Sequence, residues 1–562
     1  MIRLRAAALA AILVVGCAPA PQTDIAAPTA APISGGRVVQ TTFFDAQTLQ
    51  PFLAADAASV QATALLYAPL LRPDPMTGEL LPHLGTWSLS AAARTITWDI
   101  DPQASWSDGA PIIGDDFATL AKAVARSKRT TLRSAFQVIE GFAEYQSGKA
   151  ASIAGITVAG KQFTVRFAAV FCPSLYSVFG IAPIPTQTFA RYLGDTPEKS
   201  TIDEAPENLA PTVTSGPFRF QSWKKGERLD LARNESYFQG APLLDGLSFK
   251  VTSDASAYGA ISRDSEVNLA SIEPKDADAA ARRGLVVRAF PAASYTAIAW
   301  NLRTGTPALR DVRVRQALAY AIDVDGFIQS TLFGHGRRAQ QHHLGGTWPA
   351  APTSSLARYV HDSASAEALL QQAGFARGAD GIFAKDGTAL SLVLYTNAGN
   401  KSRETFLQMT VEQLQRFGVK AEARLDQLDT LVERLGTGAA EGDGWLISWA
   451  MGPEPDPYSV WHSSQIPDPA KRTTGLNVSG FSSADVDKAI EAARSPQAPA
   501  TCDPAVRAQQ YDTVNRVLNA DQPYLFAFIP ETLLAAPPGL HGLRPGTFSL
   551  YADVQRWWLV RP

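Results

Sequence analysis

The stretch RTITWDIDPQASWSDGAPIIGDDFATLAKAVARS, residues Arg94–Ser127, indicates the fold class. Apolar and polar residues alternate over Thr95–Ile100, which is typical of a half-buried β-strand. Asp108-Gly109 predicts a turn. Asp115-Asp116 stand where a helix begins, because carboxylates there accept hydrogen bonds from free amides and suit the helix dipole. The stretch therefore predicts a strand, a turn and a helix.

Similar patterns recur along the chain without an internal repeat. The clearest are hairpins within 152–168 and 217–234, a helix over 312–332 with a break near Asp323, a strand at 391–397, a helix over 402–417 stopped by Gly418, and a helix, turn and strand over 504–529. This alternation predicts α/β lobes with mixed sheets. A chain of 562 residues exceeds one hydrophobic core, so its length suggests two to four lobes.

The composition is that of a globular protein. Apolar residues make up 46% of the chain and charged residues 18%. The net charge of −3 and the pI of about 6.2 give no reason to expect a nucleic acid or an anionic membrane surface as partner.

The N-terminus has the pattern of an export signal. Residues 1–16 combine two arginines with an apolar run that is too short to span a bilayer. The ending Val14-Val15-Gly16-Cys17 resembles the lipobox of bacterial lipoproteins, so we expect lipidation at Cys17. The Ala/Pro/Thr-rich segment 17–35 is predicted to be a tether. An ordinary signal peptide with an incidental cysteine is the alternative.

Two further cysteines, Cys172 and Cys502, belong to the exported part of the chain. An oxidising compartment permits a disulfide between them. Their separation in sequence says nothing about their distance in space, so the sequence leaves this pairing open.

No catalytic motif is present in a convincing form. The chain lacks a G-x-S-x-G nucleophile elbow, and Gly141–Lys149 departs from P-loop spacing. Gly334–Ala339 fits a dinucleotide fingerprint loosely, but it follows a helix instead of a strand. We therefore expect a binding protein with no catalytic residues, no cofactor and no metal.

The histidines of the segment 335–361 do not match a metal-binding motif. His342 and His343 are adjacent, so on a helix they would point to different faces, and no H-E-x-x-H is present. The sequence favours a solvated loop for this region.

Several segments together resemble the family-5 extracellular solute-binding proteins, the peptide-, nickel- and opine-binding components of bacterial ABC importers. The matching segments are Leu66–Phe117, Thr214–Phe218, Arg233-Asn234 with Tyr237, Trp300-Asn301, Asp311–Leu318, 403–422 and the end near Pro523-Tyr524. Each motif is weak alone, but together they follow the family's order over nearly the whole mature chain.

The resemblance implies an α/β, two-lobed periplasmic-binding-protein-like fold of type II with an extra subdomain, mixed sheets and hinged lobes. We expect lobe 1 to combine 36–59, 212–294 and 525–562, the extra subdomain to be 60–211, and lobe 2 to be 295–524. Hinge strands are expected near Tyr295–Asn301 and before Pro523. The lobes would close on a ligand, and the closed form would dock on the permease.

The implied function is that of an ABC importer's substrate-binding component, which captures a peptide-like or other small solute and delivers it to permease subunits in the inner membrane. The protein is expected to be a monomeric, periplasmic, membrane-anchored lipoprotein that is not an enzyme. The alternative is a ligand-sensing or chaperone-like periplasmic lipoprotein that is not coupled to import. Adjacent permease and ATPase genes would favour import.

The segment WAMGPEPDPYSVWH, residues 449–462, is where the resemblance is most informative about the ligand. It follows the predicted strand 444–449 and corresponds to a loop that lines the cleft. Met451 stands where peptide-carrying relatives have an aspartate that grips the ligand's α-amine, and methionine cannot hold an ammonium group. Glu454 and Asp456 would substitute only if the loop turned them inward.

The aromatic residues Trp449, Tyr458 and Trp461 offer flat faces to a ligand, or they pack the lobe. We expect Trp449 and Met451 to face the cleft. The ligand is then not a short peptide held by its N-terminus, but a capped or modified peptide or a non-peptide solute with apolar surface.

The other expected ligand contacts are mostly polar. Asn397 and Arg403 correspond to polar cleft positions in relatives, and Arg403 either pairs with a ligand carboxylate or is a solvated arginine at a helix start. Ligand contacts are also predicted from Phe43, Phe44, Thr214, Ser215, Tyr295 and Asn301.

Overall fold

A computed structural model describes residues 31–90, 94–169, 171–252, 261, 266–495 and 502–560. The predicted signal peptide, Cys17 and most of the tether lie outside these ranges. Among the described residues, no helix has both the length and the apolar character needed to cross a membrane.

The β-strands, numbered along the chain, are β1 Arg37–Thr42, β2 Leu71–Pro73, β3 Leu80–Pro82, β4 Gly85–Leu89, β5 Thr95–Ile100, β6 Ile156–Ala159, β7 Gln162–Arg166, β8 Phe218–Lys224, β9 Arg228–Arg233, β10 Gly246–Val251, β11 Ala270–Ile272, β12 Val286–Pro291, β13 Ser294–Trp300, β14 Gly336–Arg338, β15 Ala376–Arg377, β16 Phe383–Lys385, β17 Thr388–Ala389, β18 Ser391–Asn397, β19 Lys420–Asp426, β20 Gly444–Ala450, β21 Tyr524–Ala536, β22 Leu540–His541 and β23 Trp558–Leu559.

The α-helices of the described residues are α1 Ala57–Leu66, α2 Gly114–Arg126, α3 Arg133–Phe136, α4 Phe142–Gln146, α5 Ser174–Phe179, α6 Thr186–Phe189, α7 Ala277–Arg282, α8 Val312–Ala321, α9 Val324–Ser330, α10 Ser363–Gln372, α11 Lys401–Phe417, α12 Leu428–Thr437, α13 Tyr458–Trp461, α14 Ala484–Arg494 and α15 Pro504–Asp521.

Lobe 1 is built on a four-stranded sheet with the order β1-β10-β9-β8, in which β1 is parallel to β10. An extra subdomain carries a second, antiparallel sheet with the order β4-β5-β7-β6. Val38 of β1, Trp98 of β5 and Leu247 of β10 belong to one continuous apolar core. The two sheets therefore share a single buried interior.

The larger sheet has the order β11-β21-β13-β20-β18-β19 and spans both lobes. Its β13, β20, β18 and β19 build lobe 2, whereas β11 pairs with the C-terminal half of β21 on the side of lobe 1. β18 is parallel to β19 and β20, whereas β13 is antiparallel to β20 and β21. Alternate residues of β20 enter two cores on opposite faces of the sheet, Leu446 on one and Trp445 on the other. The predicted two-lobed α/β fold with mixed sheets is confirmed.

The chain crosses between the lobes at two adjacent places. β12 ends at Pro291 and β13 begins at Ser294, so 292–293 form one crossing. The second lies inside β21, because Tyr524–Phe528 pair with β13 whereas Glu531–Ala536 pair with β12. This crossing comes after Pro523, not before it as expected, since β21 is long enough to serve both lobes.

Local structure follows the predicted start and stop signals. The helical stretch 312–330 breaks at Asp323, whose carboxylate accepts a hydrogen bond from the Gly326 amide at 2.8 Å and starts α9. Helix α11 ends at Gly418, which adopts a φ of +102° that favours glycine. Both features confirm the predictions made from the sequence.

Cys172 and Cys502 form a disulfide, with 5.3 Å between their Cα atoms. Both side chains are buried. Cys172 precedes α5 in the subdomain and Cys502 precedes α15 in lobe 2. The pairing that the sequence left open is thus a bond between different parts of the fold.

Candidate functional site

The segment 449–462 begins at a crossing between the lobes. β20 runs antiparallel to β13, with Trp449 opposite Tyr295. The Met451 amide then donates a hydrogen bond to the Ala293 carbonyl at 2.8 Å. The loop after β20 is therefore anchored beside the 292–293 crossing.

Both carboxylates of this loop are engaged by arginines of lobe 2. Arg507 of α15 donates two hydrogen bonds to Glu454, one of them 3.1 Å long, and Arg494 of α14 donates one to Asp456 at 2.8 Å. Burial raises the pKa of Glu454 and of Asp456, and the arginines oppose this shift. The loop turns its acids into the lobe, so they are not free to hold a ligand amine.

The rings of the segment mostly pack lobe 2. Trp461 is fully buried, with its ring centre 4.4 Å from that of Tyr524. The Tyr458 ring lies 3.6 Å from the Arg494 guanidinium carbon and stacks on His462. Trp449 is half-buried against the same core. The packing alternative accounts for Trp461.

Met451 lies at a contact between the lobes. It lines a cavity of about 10 Å³ together with Thr77 of the subdomain, Phe548 of the C-terminal segment and Trp348 of lobe 2. A space of this size holds about one water molecule. Met451 is therefore at the interlobe boundary, but this cavity has no room for a solute.

The prediction of a solvated histidine loop is wrong for His342 and His343, which are both buried. The His342 ring nitrogen Nδ1 lies 3.0 Å from the Tyr295 hydroxyl, and His343 bridges the Asn515 side chain and the Pro455 carbonyl. Burial lowers the pKa of His343 to about 4. The His343 ring thus holds the 449–462 segment at Pro455 from inside lobe 2.

Arg403 and Asn397, two of the predicted ligand contacts, lie together. Arg403 donates a hydrogen bond to the Asn397 side-chain oxygen at 2.6 Å and another to the Ser448 hydroxyl at 3.1 Å. The Ser448 hydroxyl is 2.9 Å from that of Thr296. We call these four residues the polar cluster. Ser448 and Thr296 were not predicted, although the alternation of β20 places Ser448 on the face opposite Trp449.

The position of Arg403 suits an anion. It is the third residue of α11, whose N-cap Asn400 accepts a hydrogen bond from the Arg403 amide. The side chain is half-buried, burial lowers its pKa, and within the described residues it forms no ion pair with a carboxylate. A guanidinium beside a helix N-terminus is an environment that favours an anion.

Four predicted contact residues are buried in structural roles. The Ser215 hydroxyl accepts a hydrogen bond from the Ala68 amide, and the Thr214 amide donates one to the Ser107 hydroxyl. Tyr295 is fully buried, and Asn301 closes a turn by accepting hydrogen bonds from the amides of 303 and 304. The structure does not bring these four side chains to the polar cluster.

Phe43 and Phe44 are placed differently. They follow β1 directly and are 49% and 79% exposed. On lobe 2, Leu425 and Leu428 are also exposed, and Leu425 lies one residue before the end of β19. Each pair lies near the carboxyl end of a strand, where open α/β sheets bind ligands.

Comparison with known proteins agrees with this architecture. Residues 80–468 match the family described as "Bacterial extracellular solute-binding proteins, family 5 Middle". The oligopeptide-binding protein AppA of Bacillus subtilis is 29% identical over 371 residues, which are 66% of this chain and 66% of AppA. The alignment thus spans just under two thirds of AppA's length.

Solved structures share the fold over nearly the whole chain. AppA from B. subtilis in complex with a nonapeptide has a TM-score of 0.68 at 24% identity, covering 94% of this chain and 100% of AppA. The ABC transporter substrate-binding protein CtaP from Listeria monocytogenes has a TM-score of 0.76 at 21% identity, covering 94% and 100%. This chain belongs to family 5 of the bacterial extracellular solute-binding proteins.

Proposed function

We propose that this chain is the substrate-binding component of an ABC importer. It captures a peptide-like or other small solute by lobe closure and delivers it to permease subunits in the inner membrane. Family membership and the two adjacent crossings between the lobes support this proposal. AppA, a relative named as an oligopeptide-binding protein, supports the peptide-like class of ligand.

The ligand assignment rests on the surroundings of the Arg403 guanidinium. Asn397 and Ser448 are neutral acceptors, so they orient the guanidinium without cancelling its charge. Its position at the start of α11 adds the helix dipole. We assign this site to a carboxylate of the solute, such as the C-terminus of a peptide.

The opposite end of the solute is not an amine held by the 449–462 segment. Glu454 and Asp456 are neutralised by Arg507 and Arg494. Exposed apolar side chains near the strand ends favour a solute with apolar surface. The proposed ligand is therefore a carboxylate-bearing solute whose α-amine, whether free or blocked, is not bound by this segment.

Native mass spectrometry of the purified protein, followed by calorimetry, tests this proposal. The first step identifies a co-purified solute, and a mixed tetrapeptide pool serves as probe if none is found. Each probe is compared as the free peptide, the N-acetyl peptide and the C-terminal amide. Amidation should weaken binding at least about tenfold, because a charge-assisted hydrogen bond is lost, whereas acetylation should leave the affinity unchanged.

Two variants on helix α11 serve as test and control. Arg403→Gln should remove the discrimination between acid and amide. Arg416→Gln, on an exposed arginine near the other end of α11, should preserve it. Binding that is lost on N-acetylation and kept on amidation would contradict the assignment.

The cellular placement in this proposal rests on the sequence alone. We propose a periplasmic monomer anchored through a lipid on Cys17, with the domain limits predicted above. Metabolic labelling with a fatty acid should modify the wild-type protein and not Cys17→Ala.

A further inference from the structure

The disulfide joins the subdomain to lobe 2. Cys172 lies two residues before α5, and Cys502 lies two residues before α15. Among the described residues of 295–522, Cys502 alone belongs to the core that lobe 1 shares with the subdomain. The bond therefore provides a covalent connection between the lobes in addition to the two chain crossings.

Non-covalent contacts surround this bond. The Cys172 amide donates a hydrogen bond to the Arg494 carbonyl at 2.7 Å, and the Arg494 guanidinium carbon lies 5.0 Å from the centre of the Phe171 ring. Nearby, the Trp348 amide of lobe 2 donates a hydrogen bond to the Thr77 carbonyl of the subdomain at 3.3 Å. The subdomain is thus docked against the part of lobe 2 that carries the 449–462 segment.

These contacts differ in what they allow during motion. Hydrogen bonds and ring contacts exchange for water when two surfaces separate. A disulfide bond cannot be replaced by contacts with water in this way, because it keeps the Cα atoms of its two cysteines within about 7 Å of each other. Any opening that carries Cys172 away from Cys502 is blocked while the bond is intact, although two adjacent crossings alone permit rotation of the lobes.

We propose that the Cys172–Cys502 disulfide is a redox-dependent latch that limits how far lobe 2 swings away from the subdomain. A dithiol reductant transfers two electrons and two protons to the bond, yielding two cysteine thiols and the cyclic disulfide of the reagent. The released lobes then open more widely. This inference goes beyond solute capture, since it concerns lobe motion in the absence of any solute.

Small-angle X-ray scattering of the ligand-free protein tests the latch. Three samples are compared: oxidised wild type, wild type reduced by dithiothreitol, and the double variant Cys172→Ser/Cys502→Ser. Because the bond is buried, reduction is run to completion and verified by a mass gain of two hydrogens. The radius of gyration and maximum dimension should be larger in the reduced protein and the variant than in the oxidised protein.

Dithiothreitol should leave the scattering of the double variant unchanged, which controls for other effects of the reagent. Circular dichroism establishes that each sample is folded, and the reduced wild type decides the question if the variant does not fold. Superimposable scattering of oxidised and fully reduced, folded wild type would overturn the latch. No ligand is used, so failure of the proposed solute assignment would not produce that outcome.

Discussion

Glu454 and Arg507, 53 residues apart in sequence, form a buried ion pair through two hydrogen bonds. Their side chains are 13% and 3% exposed. Arg507 also donates a hydrogen bond to the Tyr511 hydroxyl at 2.7 Å. This pair fixes the 449–462 segment to α15, so the Glu454 carboxylate is engaged inside lobe 2.

Glu454→Gln should destabilise the protein by about 3–5 kcal/mol, because it leaves the Arg507 charge buried without its partner. Urea unfolding followed by circular dichroism measures the change. The matched control is Glu412→Gln, whose 3.9 Å pair with Arg416 is exposed and should contribute at most about 1 kcal/mol. Equal effects of the two substitutions would contradict the structural role of Glu454.

His343 should make stability fall at acidic pH. Burial lowers its pKa to about 4, opposed by the Pro455 carbonyl and the Asn515 side chain, whereas an unfolded histidine titrates near 6.5. The folded state thus binds fewer protons between these values. The contribution of this ring is fully present above about pH 6.5 and is lost as the pH falls towards 4.

Urea unfolding at several pH values from 7.5 to 4.5 checks this dependence. His343→Gln should reduce the slope by up to about 1.4 kcal/mol per pH unit, which corresponds to one proton. The exposed His361, replaced in the same way, controls for the loss of a histidine at the surface. A slope unaffected by His343→Gln would show that this ring titrates normally in the fold.

Ser448→Ala should weaken solute binding through Arg403. The hydroxyl accepts one of the two side-chain hydrogen bonds that orient the guanidinium, so its loss should cost about 0.5–1.5 kcal/mol, or roughly twofold to twelvefold in Kd. Ser402→Ala, at an exposed position next to Arg403, is the control. Calorimetry with the free-acid and amide probes should show that only affinity for the acid falls.

Reduction of the Cys172–Cys502 bond should lower the free energy of unfolding by about 2–5 kcal/mol, because 330 residues of sequence separate the two cysteines and the intact bond restricts the unfolded chain. Denaturant unfolding with and without dithiothreitol measures this loss. The reagent should not affect the double serine variant. Identical stability of oxidised and reduced wild type would be inconsistent with this expectation.

Local patterns were readable from the sequence because they depend on near neighbours. The alternation in Thr95–Ile100 produces β5, the carboxylate of Asp323 starts α9, and Gly418 ends α11. The ordered motifs also indicated the family, which the match over 80–468 shows. The proximity of Arg403 to Asn397 follows from β18 leading directly into α11.

Tertiary structure decided the features that depend on distant partners. Whether Glu454 faces a ligand or an arginine, whether Cys172 finds Cys502, and whether His342 and His343 meet water all depend on residues tens to hundreds of positions away. The neighbouring sequence of a carboxylate, a thiol or an imidazole is the same whichever distant partner the fold brings to it. The charge state and the role of such a group are set by desolvation and by the opposite group that the fold brings to it.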